Sequence, residues 1–263
     1  MFNRRKLITG VPLIAMGGGL IAGCETKSEQ SNKAVNNLDD SFARSRGFVG
    51  EVFETPDNGA QLPVGMGASR HTEVTKAFRL LWDAPRTSNH MEIAEYFLNI
   101  SDVNPDERNA AGDVAAYNEE WARRANPLIT AFFGMTNTLP SSGDQTAWCA
   151  AFVSFVLYAA GKPNKFSALS GSYRSYARMR NLENGDEPRA GDILVLRKNG
   201  PKGDLGFGHV GFYTGVKTET AYEILGGNQR AGEGSTGAVT KTMYRKNGSY
   251  LSLHSFRIVP EDT

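Results

Sequence analysis

The chain has 263 residues, enough for one large or two modest domains. Its 40% hydrophobic and 22% charged content is that of an ordinary globular protein. Removing Arg4, Arg5 and Lys6 of an acid-free leader from the 29 basic residues leaves 26 against 28 acidic ones, a net of −2, so the charge gives no footprint for nucleic acid and no such motif accompanies it.

Residues 1–23 read as an export signal. Arg4-Arg5-Lys6 is the charged region, and Leu7 to Gly23 is a glycine-diluted apolar segment shorter than a usual spanning helix. It ends in Leu20-Ile21-Ala22-Gly23-Cys24, which resembles a bacterial lipobox, with small residues before a cysteine whose sulfur takes the lipid. An ordinary cleaved signal or a membrane anchor is the competing reading. Asn3-Arg4-Arg5-Lys6-Leu7-Ile8 resembles a twin-arginine signal, although general export needs only the positive charge. Glu25 after Cys24 leans toward the outer membrane of a Gram-negative envelope. Residues 24–65 follow as a polar tether, whose reach if fully flexible is roughly 35 Å. Phe48 to Glu54 has the pattern of a short strand.

Residues 66–118 are expected to form a helical amino-terminal region. Val74, Ala77, Phe78 and Leu81 have helical spacing, stopped by Pro85. A second helix follows Asn89, with Glu92 three residues on and Ile93, Tyr96, Phe97 and Ile100 as its face. Asp113 to Ala125 is also expected to be helical, anchored by Trp121. Asn126-Pro127 then reads as a cap and first-turn proline.

The most informative stretch is Ala147 to Gly161. It is almost entirely apolar, too short to cross a bilayer, and closed by Gly161-Lys162-Pro163, which predicts a buried core helix. With Asp144 or Thr146 as cap, Cys149 falls in the first turn, where free N–H groups and the helix dipole favour a thiolate. A free thiol titrates near ~8.5 and is depressed at such positions. Cys149 as a small buried hydrophobe is the alternative. If Cys24 is lipidated, Cys149 has no disulfide partner, which flags it as a reactive thiol.

Past Gly161 a short helix is expected over Ser172 to Asn181, then a turn at Pro188 to Asp192. Strands are predicted at Ile193–Leu196, Gly208–Thr214, Tyr222–Leu225, Ala238–Tyr244 and Tyr250–Val259. Strands at hairpin spacing after a block of helices give an α+β fold with an antiparallel sheet. Of the four histidines, His209 alone opens a strand between glycines after the cysteine helix, whereas His71, His90 and His254 read as ordinary surface or core groups. The group that orients such an imidazole is expected near an end of the next strand. There Asn228 is the first choice, Gln229 the weaker one, and Glu223 requires the opposite face. One thiol and scattered histidines do not give metal-ligand spacing, and no cofactor is expected.

Four ordered blocks carry a family resemblance: Trp148-Cys149-Ala150-Ala151-Phe152, Gly191-Asp192-Ile193, Gly208 to Tyr213, and Leu225-Gly226-Gly227-Asn228-Gln229. Together they resemble the NlpC-like and CHAP cysteine peptidases, papain-like bacterial enzymes that cut amide bonds in peptidoglycan. The resemblance covers about residues 126–260, and it implies a hydrolase domain over residues 119–263. It also implies Cys149 as nucleophile, His209 as base and Asn228 as the third polar residue, with Trp148, Gln145 and Gln229 as substrate-side candidates. Two departures stand out. Many relatives have Asp-Cys-Ser where this chain has Trp148-Cys149-Ala150, and the CHAP pattern often carries an acid where Gly226 stands. The expected partner is peptidoglycan, reached from a membrane through the Cys24 anchor on the periplasmic side of the envelope. The competing readings are a catalytically inactive wall-binding or scaffold lipoprotein and a thiol acyltransferase on the same fold.

Overall fold

The computed structural model describes residues 67–183, 186–230 and 236–261. The export signal, Cys24, most of the tether and the strand expected at Phe48 to Glu54 lie outside the described residues. No helix among the described residues is long and apolar enough to cross a membrane.

Helix α1 (His71–Asp83) opens on one half of a capping box: the Arg70 N–H donates to the Glu73 carboxylate at 2.6 Å. Its buried side is Glu73, Ala77 and Leu80, so the apolar stripe is rotated from the one expected, and Phe78 is 66% exposed. Buried Glu73 explains the rotation, because with Asn104 and Arg124 it forms a satisfied polar cluster against the next elements. Helix α2 (His90–Leu98) follows the expected cap, with the Asn89 side chain accepting from the Met91 N–H at 3.1 Å.

The amino-terminal region is not wholly helical. Strands β1 (Val103–Arg108) and β2 (Val114–Ala116) pair antiparallel, and residues 117–126 form no helix. Helix formation loses here because the segment's polar groups find distant partners. The Trp121 and Asn126 N–H groups donate to Asp144, and the Asn118 amide donates to the Phe97 and Leu98 carbonyls. Fully buried Trp121 anchors the run, its indole N–H donating to the Ala116 carbonyl at 2.8 Å. Asn126-Pro127 starts helix α3 (Pro127–Phe132) as its residues predict, with Asn126 accepting from Leu128 N–H at 2.9 Å.

Helix α4 (Cys149–Ala159) is the centre of the core, with eight of its eleven residues buried. It ends in a Schellman motif: Gly161 has φ +70°, its N–H donates to the Tyr158 carbonyl, and the Lys162 N–H donates to the Leu157 carbonyl. A 3-10 turn, Ser170–Ser175, stands where a short helix was expected. The sheet has five antiparallel strands: β3 (Ile193–Lys198), β4 (Gly208–Lys217), β5 (Ala221–Gln229), β6 (Ala238–Arg245) and β7 (Leu251–Arg257). Their order is β6-β5-β4-β3-β7, and a one-turn helix α5 (Pro201–Asp204) joins β3 to β4. One face, with Ile193, Val195, Val210, Phe212 and Leu225, packs with α4, α3 and both amino-terminal helices in a single core. The opposite face carries a second cluster of Leu194, Leu196, Tyr213, Ile224 and Phe256. This is the expected α+β, papain-like arrangement, with the cysteine at the start of a buried helix laid on an antiparallel sheet.

Candidate active site

The cysteine is placed by the start of α4. Trp148 is the capping residue, with φ −117° and ψ 10°, and Cys149 is the first helical residue, with no side chain capping the helix. The caps expected from Asp144 or Thr146 are absent because both are engaged elsewhere. Asp144 accepts from the Trp121 and Asn126 N–H groups at 2.8 and 2.9 Å, and the Thr146 hydroxyl accepts from the Ser142 N–H. Burial pushes the Asp144 carboxyl up to about 7, helped by the neighbouring Glu120 charge.

Three backbone N–H groups, of Val210, Ala150 and Cys149 itself, lie near enough to the sulfur to favour its thiolate. The first is available because of strand geometry. The Tyr213 N–H donates to the Asp192 carbonyl on the β3 side, so by alternation the Val210 N–H faces β5. At this end the β4–β5 ladder stops at the Phe212–Leu225 pair, which leaves that N–H to the sulfur. All three donors favour a thiolate, yet Cys149 is only 5% exposed, and burial pushes its thiol up to about 11. The depressed thiol expected from its helix position is therefore reversed, because desolvation outweighs the donors.

His209 is the second residue of β4, next to Val210. It is 6% exposed, and its ring stacks on that of Tyr244 in β6 at 5.1 Å. Burial drives the imidazole down to about 4, opposed by the approach of the Gln229 side chain. The Tyr244 phenol is pushed up by burial and then by the nearby Cys149 sulfur, so sulfur, imidazole and phenol share one neighbourhood. Among the described residues no hydrogen bond joins the thiol to the imidazole. Near neutral pH the thiol and the imidazole are therefore each neutral.

The two polar residues ending β5, expected as the first and the weaker choice of orienting group, have different partners. Asn228 sits at a bulge with φ +55°, between the Gly226–Thr240 and Gln229–Ala238 pairs. Its side chain turns to the α4 side, where Oδ1 accepts from the Trp148 N–H at 3.1 Å and Nδ2 donates to Glu120 Oε1 at 3.1 Å. The reverse amide orientation would set oxygen on oxygen and N–H on N–H. Among the described residues no hydrogen bond joins Asn228 to the imidazole. Gln229, 1% exposed, lies there instead, its Nε2 donating to the carbonyls of Ile224, Gly226 and Thr240 at 3.2, 3.0 and 2.5 Å. With the nitrogen held by three carbonyls, Oε1 is left as the acceptor facing the imidazole. It approaches without a formed hydrogen bond, and both Gln229 Oε1 and His209 Nε2 are buried without a partner. The Gln229 amide also occupies the space beside Gly226: a Cβ there would lie 3.2 Å from Nε2.

Trp148, a substrate-side candidate in the sequence, is fully buried against Phe132 and Phe152, and its indole N–H donates to Glu120 at 3.1 Å. Its side chain is part of the core in this structure. Gln145 is half-buried in the turn Gly143–Gln145 beside the Asp144 carboxylate. Elsewhere, His90 Nε2 bonds the Gly191 carbonyl at 2.8 Å, while His71 and His254 are exposed. Glu120 and Tyr244 carried no signal in the sequence, since one lies in a segment with helical pattern and the other on an ordinary strand. A cavity near Lys162, Arg189 and His90 includes none of the site residues. Among the described residues no group of three or more His, Cys, Asp or Glu side chains is placed to hold a metal ion.

This geometry makes a pH prediction. Alkylation of Cys149 by iodoacetamide, read at that residue by peptide mass analysis, should rise about tenfold per pH unit from pH 7 to pH 10. A thiolate–imidazolium pair would instead give a plateau already below pH 8, and would contradict the neutral resting state.

Residues 141–228 match the model of the CHAP domain, a span that runs from before the cysteine helix to Asn228. No curated protein and no solved structure matches the chain.

Proposed function

We propose that the chain, whose residues 141–228 match the CHAP domain model, hydrolyses an amide bond of peptidoglycan by thiol catalysis, with Cys149 as nucleophile and His209 as base. The observation that carries this is the cysteine at the start of α4, with the N–H of Val210, the residue next to His209, near enough to its sulfur to favour the thiolate. His209 takes the thiol proton as sulfur attacks the carbonyl carbon. The developing oxyanion is met by the Cys149 N–H at the positive end of α4, a type of donor worth about 3 kcal/mol. The C–N bond then breaks, with the imidazolium returning the proton to the leaving amine. Water, deprotonated by the same imidazole, cleaves the thioester and frees the thiol. Gln229 is the group that steadies the imidazole, through Oε1.

With the thiol high and the imidazole low, proton transfer in the closed site is uphill. Entry of substrate and water is what makes it feasible. The same burial favours a second reading, an inactive wall-binding scaffold that retains the fold. Dye-labelled sacculi separate the two: hydrolysis releases soluble dye from the insoluble wall, whereas a scaffold pulls down with the wall and releases none. The proposal extends to the leader, with a lipid on Cys24 and the polar tether letting the domain reach the wall. Incorporation of labelled palmitate into the wild-type chain but not into Cys24→Ser tests that part.

A further inference from the structure

The segment before the matched family region enters the site through one buried carboxylate. Residues 118–120 run along β6: the Val239 N–H donates to the Asn118 carbonyl, and the Glu120 N–H donates to the Gly237 carbonyl, each at 2.9 Å. From that edge the Glu120 side chain, 5% exposed, points inward. Its carboxylate accepts from the Trp148 indole at 3.1 Å, the Gly237 N–H at 3.0 Å and the Asn228 amide at 3.1 Å. Asn228 in turn accepts from the Trp148 N–H, one residue before Cys149. Every donor is directed at the carboxylate, and Arg230 lies 4.0 Å away at its solvent side. Gly237 has no room for more, since a Cβ there would lie 2.3 Å from Glu120 Oε1 and 2.8 Å from the Asn228 side-chain amide.

We propose that Glu120 is a positioning residue for the nucleophile: through Trp148 and Asn228 its carboxylate sets where the start of α4 presents the Cys149 sulfur and N–H. The catalytic consequence rests on the hydrolase reading above; the positioning itself does not. Two features set this clamp apart from simple core packing. It grips the indole and, through Asn228, the backbone N–H of the same capping residue, so it fixes both the position and the rotation of the helix start. It also ties the β5 bulge to that start, and the bulge is what brings Gln229, rather than Asn228, to the imidazole. A shift of about 1 Å in such a constellation is enough to cost about 100-fold in rate.

The test is a double-mutant cycle of Glu120→Gln and Asn228→Ala in the full chain, with two readouts. In Glu120→Gln the amide nitrogen sets N–H groups against the donors of Asn228 or Gly237, while volume is unchanged. One readout is fragment release from sacculi, resolved into kcat and KM. The other is the Cys149 alkylation rate at fixed pH, which needs no hydrolytic activity. Each single variant should lower kcat at least 10-fold with KM within twofold, and shift alkylation at least threefold. The double variant should be no worse than the poorer single one. Additive losses, or a Glu120→Gln protein that differs from wild type only in melting temperature, would overturn the proposal. If wild type releases nothing from sacculi while alkylation still shifts non-additively, the hydrolase reading fails and the positioning role stands.

Discussion

Cys149→Ala should lower fragment release from sacculi by at least about 10⁴-fold, the scale seen when a covalent nucleophile is removed. The fold should persist. Alanine fits the space of a side chain surrounded by Val210, Ala150 and the aromatic core, and no disulfide is lost, because Cys149 is a free cysteine. The loss is that of a buried sulfur near backbone N–H groups, worth about 1 kcal/mol. For a domain of this size that is a fall of about 2–4 °C in melting temperature. Scanning calorimetry and the release assay on the same preparation check both halves. A variant that keeps wild-type release removes the sulfur from the mechanism.

Gly227→Ala should damage stability and activity together. Gly227 passes directly under the capping tryptophan, and a Cβ there would lie 2.3 Å from the Trp148 ring and 2.8 Å from the Phe152 Cβ. Neither neighbour can retreat, because both rings are fully buried in one aromatic cluster with Phe132. Overpacking of this kind costs about 3 kcal/mol, or about 6–12 °C in melting temperature. Because the ring pushed aside belongs to the residue before Cys149, surviving folded protein should also lose about 100-fold in release rate. Melting and release measured below the new transition separate the two effects. A variant with unchanged melting temperature would show that β5 does not pass as close to α4 as described.

Much of this architecture is legible in local chemistry. The apolar run from Ala147, the glycine and proline that close it, and the strands at hairpin spacing each act over a few residues, and each forms where its residues predict. The Asn89 and Asn126 caps are of the same kind. What escapes is set by partners far along the chain. Residues 117–126 have helical periodicity but spend their hydrogen bonds on Asp144, Phe97, Leu98 and Gly237, so the local pattern loses. Phe78 has core chemistry but a solvent position, because Glu73 takes the buried side for its pairing with Arg124.

Within the candidate site, the placing of Cys149 at a helix start and of His209 at a glycine-flanked strand start is legible because both are local information. The surroundings of the polar residues ending β5 are not. Alternation along β5 fails at the bulge, where Asn228 takes a left-handed conformation and the following side chain changes face. That single irregularity brings Gln229 to the imidazole and hands Asn228 to Trp148. The ionisation of the thiol escapes for a different reason. A helix terminus is visible in sequence, but the depth at which it is buried is not, and here depth decides the sign.

The most direct measurement is mass analysis of the muropeptides left when sacculi are incubated with wild-type protein and with Cys149→Ala. The wild-type digest should contain pairs of products, one with a new free amine and one with a new carboxylate, together heavier than the parent by one water, and the variant digest should lack them. Identical digests from the two proteins, or cleavage confined to the sugar linkages, would contradict the assignment of an amide-cutting cysteine.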